Sequence, residues 1–226
     1  MEVAGLIVAA GRGSRAGGAI PKQYQKVNRV TMLSLTIKAF LASQKIDCVK
    51  VVINKKDTFL YEESIDGIKD KRLLSPCFGG AERTNSVFAG LLDLKACSPR
   101  KVLIHDGARP FVSKKLINNV ILELDACQAV FPVIPVVDAL WKIEHDGLGG
   151  FKVLPGPERE NLCRAQTPQG FCYRNILESH SKNKKTKLDD IAVAYEHGFK
   201  IKTVIGDEKN LKVTSETDLN RFMQEK

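Results

Sequence analysis

Residues 3–25, VAGLIVAAGRGSRAGGAIPKQYQ, hold the densest set of groups able to do chemistry. An apolar run over residues 3–10 stops at Gly11, and Gly13, Arg15, Pro21 and Lys22 follow. The order predicts a buried strand, a glycine loop and a cationic clamp, a device that holds a polyphosphate against bare backbone N–H groups. Gly11 and Gly13 let the backbone approach closely, and Arg15 and Lys22 can then flank a triphosphate. Two fixed positive charges there would stabilise a pentacoordinate α-phosphorus and a departing pyrophosphate.

Two better-known phosphate loops do not fit. A P-loop needs Gly-Lys-Ser/Thr at its end, and the chain has none. Gly11, Gly13 and Ala16 satisfy a dinucleotide fingerprint after a strand, but that fingerprint also needs an acidic residue about 20 positions on to hold a ribose. No Asp or Glu occurs between Glu2 and Asp47. The NAD reading fails there.

The loop needs elements to hold it. Strand-like apolar runs lie at residues 6–10, 49–53, 101–105, 129–132 and 200–205. Between them, residues 31–43, 83–93, 114–127 and 189–197 carry apolar positions at helical spacing, with Gly or Pro at most joints. This alternation predicts one α/β domain over residues 1–226, with a doubly wound, mostly parallel sheet and ligands at the carboxyl ends of its strands. Residues 135–168 break the rhythm with alternating residues and glycine-rich turns. They predict a projecting β-arm over about residues 136–166, with Trp141 and Phe151 packing on a partner chain. Residues 181–187, SKNKKTK, read as a solvated loop.

Bulk properties bound the function. The 226 residues contain 43% hydrophobic and 27% charged residues, which suits a folded domain and argues against disorder. A net charge of +9 fits a lysine-rich surface, phosphorylated small molecules or nucleic acid. Cys48, Cys77, Cys97, Cys127, Cys163 and Cys172 show no C-x-x-C pair and no matching His spacing, so reduced thiols in a cytoplasmic protein are expected rather than disulfides or zinc. No leader-like start and no membrane-length apolar run is seen. His105 reads as a packed strand residue, and no histidine is assigned chemistry.

Further blocks follow the loop in a fixed order: GGAERTNSVFAGL (79–91), HDGARPF (105–111), TPQGF (167–171), LDDIAVAYEHG (188–198) and NLKVT (210–214). With AAGRGSR and PKQY they resemble the 2-C-methyl-D-erythritol 4-phosphate cytidylyltransferases, CTP-using enzymes of the non-mevalonate isoprenoid pathway. The resemblance spans nearly the whole chain. It implies a Rossmann-like nucleotidyltransferase fold and CMP transfer from CTP to 2-C-methyl-D-erythritol 4-phosphate, with Mg2+. The nucleophile would be a phosphate oxygen, largely dianionic near neutral pH with a second pKa of about 6, which needs no activating base. Positioning and charge neutralisation would then suffice.

By the same resemblance, Arg15 and Lys22 stabilise the transition state, and Ala9, Ala10 and Gly11 line the nucleotide. Gly80, Ala81 and Ser86 read the cytosine, and Arg83 braces their loop. Asp106, at a strand end, holds sugar hydroxyls or helps orient Mg2+; as a bare carboxylate it would instead satisfy loop N–H groups. Arg109 grips phosphate. Arg159, Thr167 and Lys212 match positions that hold the acceptor phosphate, with Arg159 on an arm that interlocks with a second subunit, which implies a homodimer with shared sites. Ala139 and Leu188 stand where familiar members carry threonines, which keeps another polyol phosphate, such as ribitol 5-phosphate, open as acceptor. A non-catalytic nucleotide- or nucleic-acid-binding domain is the rival from another class, but it lacks a recognised motif or an aromatic stacking platform. Neither nucleic acid nor membrane is expected as a partner.

Overall fold

The N-terminal apolar run forms β1 (Val3–Ala9), which lies inside an eight-stranded sheet. In the computed structural model, residues 1–12, 20–147, 149–183, 186–214 and 217–218 are described. After β1 come a small hairpin, β2 (Lys26–Val27) and β3 (Val30–Thr31), then α1 (Met32–Leu41), β4 (Cys48–Ile53) and α2 (Thr58–Ile65). Next are β5 (Cys77–Phe78), α3 (Arg83–Asp93), β6 (Lys101–Asp106), α4 (Lys114–Glu123) and β7 (Ala129–Pro135). The chain continues through β8 (Lys142–His145), β9 (Phe151–Leu154), β10 (Cys163–Ala165) and β11 (Gln169–Cys172), and then α5 (Tyr173–Lys182), α6 (Asp190–Glu196) and β12 (Ile201–Ile205).

The sheet runs β10-β7-β11-β6-β1-β4-β5, with β12 also paired to β7. β1 pairs in parallel with both β4 and β6, β4 with β5, and β7 with β12. β10 and β11 run antiparallel to the strands they pair with. Chain order therefore reverses at β1, first towards β4 and later towards β6. That switch point is where open α/β sheets leave a crevice for ligands.

Alternation along the central strands separates two apolar layers. Val3 and Ile7 of β1 with Val49, Val51 and Ile53 of β4 face Leu33, Ile37 and Phe40 of α1 and Ile117 and Val120 of α4. Ala4 and Leu6 with Val52, Val102 and Ile104 face Val87 and Leu91 of α3 and Ile176 of α5. Burying each large apolar side chain contributes about 1.5–3 kcal/mol. α3 approaches closely because Gly90 lacks a side chain: a Cβ there would lie 2.5 Å from Leu6 Cδ1. Thr31 and Ser113 cap α1 and α4 by accepting from Ser34 N and Leu116 N, each at 3.2 Å.

The expected helix over 83–93 coincides with α3, and the other three expected helices match α1, α4 and α6 within a few residues. Residues 181–187 do not begin as a loop, since α5 runs through Lys182. After Pro135 the chain leaves the sheet, forms the separate β8–β9 ribbon and returns as β10, paired to β7. Among the described residues no helix is long and apolar enough to cross a membrane.

Candidate active site

Parallel pairing sets the site. Val8 of β1 is opposite Asp106 of β6, and Ala9 is opposite Ile53 of β4. Three strand ends thus emerge side by side, and Gly79 N donates to Ile53 O while Gly107 N donates to Val8 O. They border a cleft of about 580 Å3 lined in part by Ala9, Ala10, Gly11, Arg12, Lys22 and Gln23. Its other wall holds Gly80, Ala81, Glu82, Arg83, Ser86, Asp106, Lys212 and Thr214. A groove of about 740 Å3 between α4 and β12 is larger, but its charged lining is only the exposed Lys202–Glu123 pair. Chemistry, not volume, selects the cleft.

The backbone leading out of β1 is anchored by one side chain. Gln23 is buried, and its Nε2 donates to Ala9 O at 2.7 Å and to Gly11 O at 2.9 Å. Those two carbonyls flank Ala10, so one amide fixes the backbone at the mouth of the loop. Lys22, next to it, opens a single 3₁₀ turn after Pro21. Arg12 pairs with the buried Asp57 at 3.2 Å. Gly13 and Arg15 lie outside the described residues.

The opposite wall depends on Gly79, where a Cβ would sit 2.5 Å from Ser86 Oγ and 2.6 Å from Ala10 Cβ. Gly80, Ala81 and Glu82 follow, and α3 begins at Arg83 with no side chain capping it. Its N-terminus is a favourable place for negative charge.

Asp106 is the electrostatic centre. Lys212 Nζ lies 2.9 Å from Oδ2, Arg83 Nε 3.2 Å from Oδ1 and Arg109 Nε 3.6 Å from Oδ2. Burial would raise its pKa, but Arg83, then Lys212 and Arg109, outweigh burial and hold the carboxyl well below the usual range. With Lys22 on the facing wall, cations outnumber carboxylates, as an anionic ligand requires. Among the described residues no three His, Cys, Asp or Glu side chains cluster as a metal cage.

Not every expected residue faces the cleft. Thr167 is buried behind Asp106: its Oγ1 accepts from Asp106 N at 3.2 Å and meets His105 Nδ1 at 2.9 Å. Arg109 also lies behind, donating to Asn210 O at 2.8 Å. Arg159 stands apart on the arm, donating to Val137 O at 2.9 Å. Ala139 and Leu188 are both exposed and line none of the cleft. Sequence reasoning missed Arg12, Gln23, Asp57 and Asp190; PKQY and LDDIA contained two of them, but nothing local said where their side chains turn.

His105 is buried beside this cluster, and its proton can be placed. Arg109 O can only accept, so the His105 Nε2 that meets it at 3.0 Å carries the proton. Nδ1 then accepts from the Thr167 hydroxyl, and the ring is neutral. Burial pushes its pKa down to about 4, against a partial lift from its bond to Arg109 O. The unfolded chain, with a histidine pKa near 6.5, binds more protons than the fold between those values. Stability is therefore full above about pH 6.5 and falls by roughly 3 kcal/mol as pH drops to 4. Urea unfolding across this range should show that slope, and His105→Gln should flatten it; equal slopes would contradict the assignment.

Comparisons with known proteins add to this geometry. The family model for 2-C-methyl-D-erythritol 4-phosphate cytidylyltransferase (IspD) matches residues 3–223. A bifunctional enzyme IspD/IspF of Paramagnetospirillum magneticum is 44% identical over 217 residues, 96% of this chain and 54% of that protein. The chain thus spans about half the length of that relative. A 2-C-methyl-D-erythritol 4-phosphate cytidylyltransferase of Neorickettsia sennetsu is 38% identical over 224 residues, 96% of this chain and 94% of the relative. Among solved structures, a 4-diphosphocytidyl-2C-methyl-D-erythritol synthase of Anaerococcus prevotii superposes with a TM-score of 0.84 at 25% identity, covering 98% of this chain and 94% of that one. A cationic cleft at the switch point, a sheet of this topology and a match from residue 3 to residue 223 lead to one assignment: the chain belongs to the 2-C-methyl-D-erythritol 4-phosphate cytidylyltransferase family.

Proposed function

We propose that this chain transfers CMP from CTP to 2-C-methyl-D-erythritol 4-phosphate and releases pyrophosphate. The observation that carries the reading, beside family membership, is how the titratable groups of the cleft are engaged. Asp106 is held ionised by three cations, and His105 is buried, neutral and bonded through both ring nitrogens. Neither is available as a base. A phosphate monoester needs none, because it is already largely dianionic at neutral pH.

The step itself is a displacement in line. An oxygen of the acceptor phosphate bonds to the α-phosphorus of CTP, the bond to the bridging oxygen breaks, and pyrophosphate takes the electron pair. Gly80, Ala81, Ser86 and Asp106 line the cleft; in this reading the first three meet the base edge, and Asp106 meets either the ribose hydroxyls or the metal. Lys22, with Arg15 on the same loop, neutralises charge that builds on the phosphates in the transition state. Lys212, which lines the cleft, supplies positive charge towards the acceptor phosphate, Arg159 would add to it from the partner subunit, and Arg109 acts from behind through Asp106. Magnesium fits as an ion that arrives on the triphosphate, because such ions take one or two carboxylates and fill the rest of their shell with phosphate and water. Asp106 would hold it. A carboxylate can accept about four bonds, so three cation contacts leave capacity. The ion would neutralise phosphate charge.

Two copies of the chain make the functional unit in this reading. Along the β8–β9 ribbon Ile143 is opposite Val153 and His145 opposite Phe151, so these residues share one face with Trp141. Trp141, Ile143, Phe151 and Val153 are each more than half exposed. An isolated two-stranded ribbon is marginal in water. A partner subunit would cover that face and receive Arg159 near its own cleft.

The direct test incubates purified protein and Mg2+ with each nucleoside triphosphate and either 2-C-methyl-D-erythritol 4-phosphate or ribitol 5-phosphate, and measures pyrophosphate. Release is expected with CTP and the methylerythritol phosphate. Turnover with ribitol phosphate instead would move the acceptor assignment, and no turnover with either would leave a binding domain.

A further inference from the structure

The two aspartates of the LDDIA segment, residues 188–192, point different ways. Asp189 caps α6: its Oδ1 accepts from Ala192 N at 2.9 Å and its Oδ2 from Gln169 Nε2 at 2.8 Å. Asp190 turns inward and is 1% exposed. Its Oδ2 lies 2.8 Å from Arg83 Nη1 and its Oδ1 3.2 Å from His180 Nε2, on α5. The backbone N–H groups of Asp190 and Ile191 both reach Gln169 Oε1 at 3.2 Å, which fixes the start of α6 on β11.

Arg83 therefore stands between two carboxylates. One edge of its guanidinium faces Asp190 through Nη1, and another faces Asp106 through Nε. A planar fork held at two edges has one orientation, whereas a fork held at one edge can rotate. Burial would raise the pKa of Asp190, but Arg83 and then His180 outweigh it and hold the carboxyl below its ordinary value. Arg83 is also the first residue of α3, directly after the loop of Gly80, Ala81 and Glu82. One side chain thus ties that loop to the strand end bearing Asp106.

We propose that Asp190 and His180 are positioning residues for the nucleotide: they lock Arg83 so that the loop at residues 79–82 and Asp106 present one fixed surface to it. The proposal rests on the reading of the cleft as a CTP site. Neither residue lines the cleft, so neither touches CTP, and their effect must pass through Arg83.

Calorimetric titration with CTP and steady-state kinetics on the full chain test this. Asp190→Asn should weaken CTP binding by roughly 10- to 100-fold, the lower range of coupling for one close buried charge pair. The acceptor KM, and kcat at saturating CTP, should stay within about threefold, because Asp106 keeps its contacts with Lys212 and Arg109. In a cycle with Arg83→Gln, the double variant should bind CTP no worse than Arg83→Gln alone. Losses that multiply, an unchanged CTP affinity in Asp190→Asn, or an equal fall in acceptor binding would each overturn the proposal. Should Asp190→Asn fail to fold, His180→Gln and His180→Leu make the comparison: Gln keeps an N–H near the Nε2 position and should bind CTP more tightly than Leu. Equal affinity in that pair would overturn it. If the unmodified protein takes up no CTP at all, the reading of the cleft fails first, and that result is distinct from equal binding by every variant.

Discussion

Lys22→Ala is expected to lower kcat by about 10²- to 10³-fold, the usual effect of removing one fixed group that meets transition-state charge. CTP affinity should change far less, because the ground-state triphosphate keeps the backbone of the loop and its other cations. Rigidity is what separates the two effects. Pro21 sets the chain direction into the turn, and Gln23 is bonded to Ala9 O and Gly11 O, so Lys22 is held in register with the end of β1. A preorganised charge costs no rearrangement when the phosphorus centre becomes five-coordinate. Steady-state kcat set against the CTP dissociation constant decides it, and equal losses in both would place Lys22 in ground-state binding only. The same variant probes subunit sharing. If Arg159 serves its partner's cleft, a mixed dimer of Lys22→Ala and Arg159→Ala chains has one doubly altered site and one native site. Random exchange then restores roughly a quarter of the native activity, whereas a site built within one chain regains none.

Much of this frame can be read along the chain, because the central strands and amphipathic helices are local statements. β1, β4 and β6 are buried on both faces and appear as short apolar runs, and α3 and α4 show their periodicity openly. β10 and β11 do not stand out as strands in the sequence. They are three and four residues long, and they run against their neighbours by pairings that local sequence does not encode. The same limit governs the site. The strand end points to Asp106 and the family resemblance to Ala10 and Gly80, and all three line the cleft, but neither points to the layer behind it. The resemblance assigns Thr167 to the acceptor phosphate, and nothing in the sequence says that its hydroxyl also engages Asp106 N and His105, while Asp190 looks like a helix-start residue and reaches Arg83. Such roles follow from which distant segment arrives next to which, and only the assembled sheet sets that.

Asp106→Ala should damage both stability and activity, and pH separates the two causes. Without the carboxylate, Arg83, Arg109 and Lys212 face one another, and breaking a buried pair in this way costs about 3–5 kcal/mol. The lower end applies, because the Lys212 side chain is 41% exposed and can turn into water. CTP turnover measured as kcat/KM should fall by about 10²-fold, since a cleft-lining carboxylate is gone and Arg83 loses one of its two anchors. The sign of the pH effect follows from the depressed carboxyl pKa. In the unmodified protein this stabilisation is fully present above the unfolded aspartate pKa of about 3.9, and it drains away as pH falls below that value towards the folded pKa. The stability gap between the unmodified protein and Asp106→Ala should therefore be constant from pH 8 to about 4, then narrow by about 1.4 kcal/mol per pH unit. Urea midpoints for the two proteins down to pH 3 measure that gap. A gap that closes at higher pH, in the range where His105 titrates, would mean that His105 rather than the cluster of cations governs the loss.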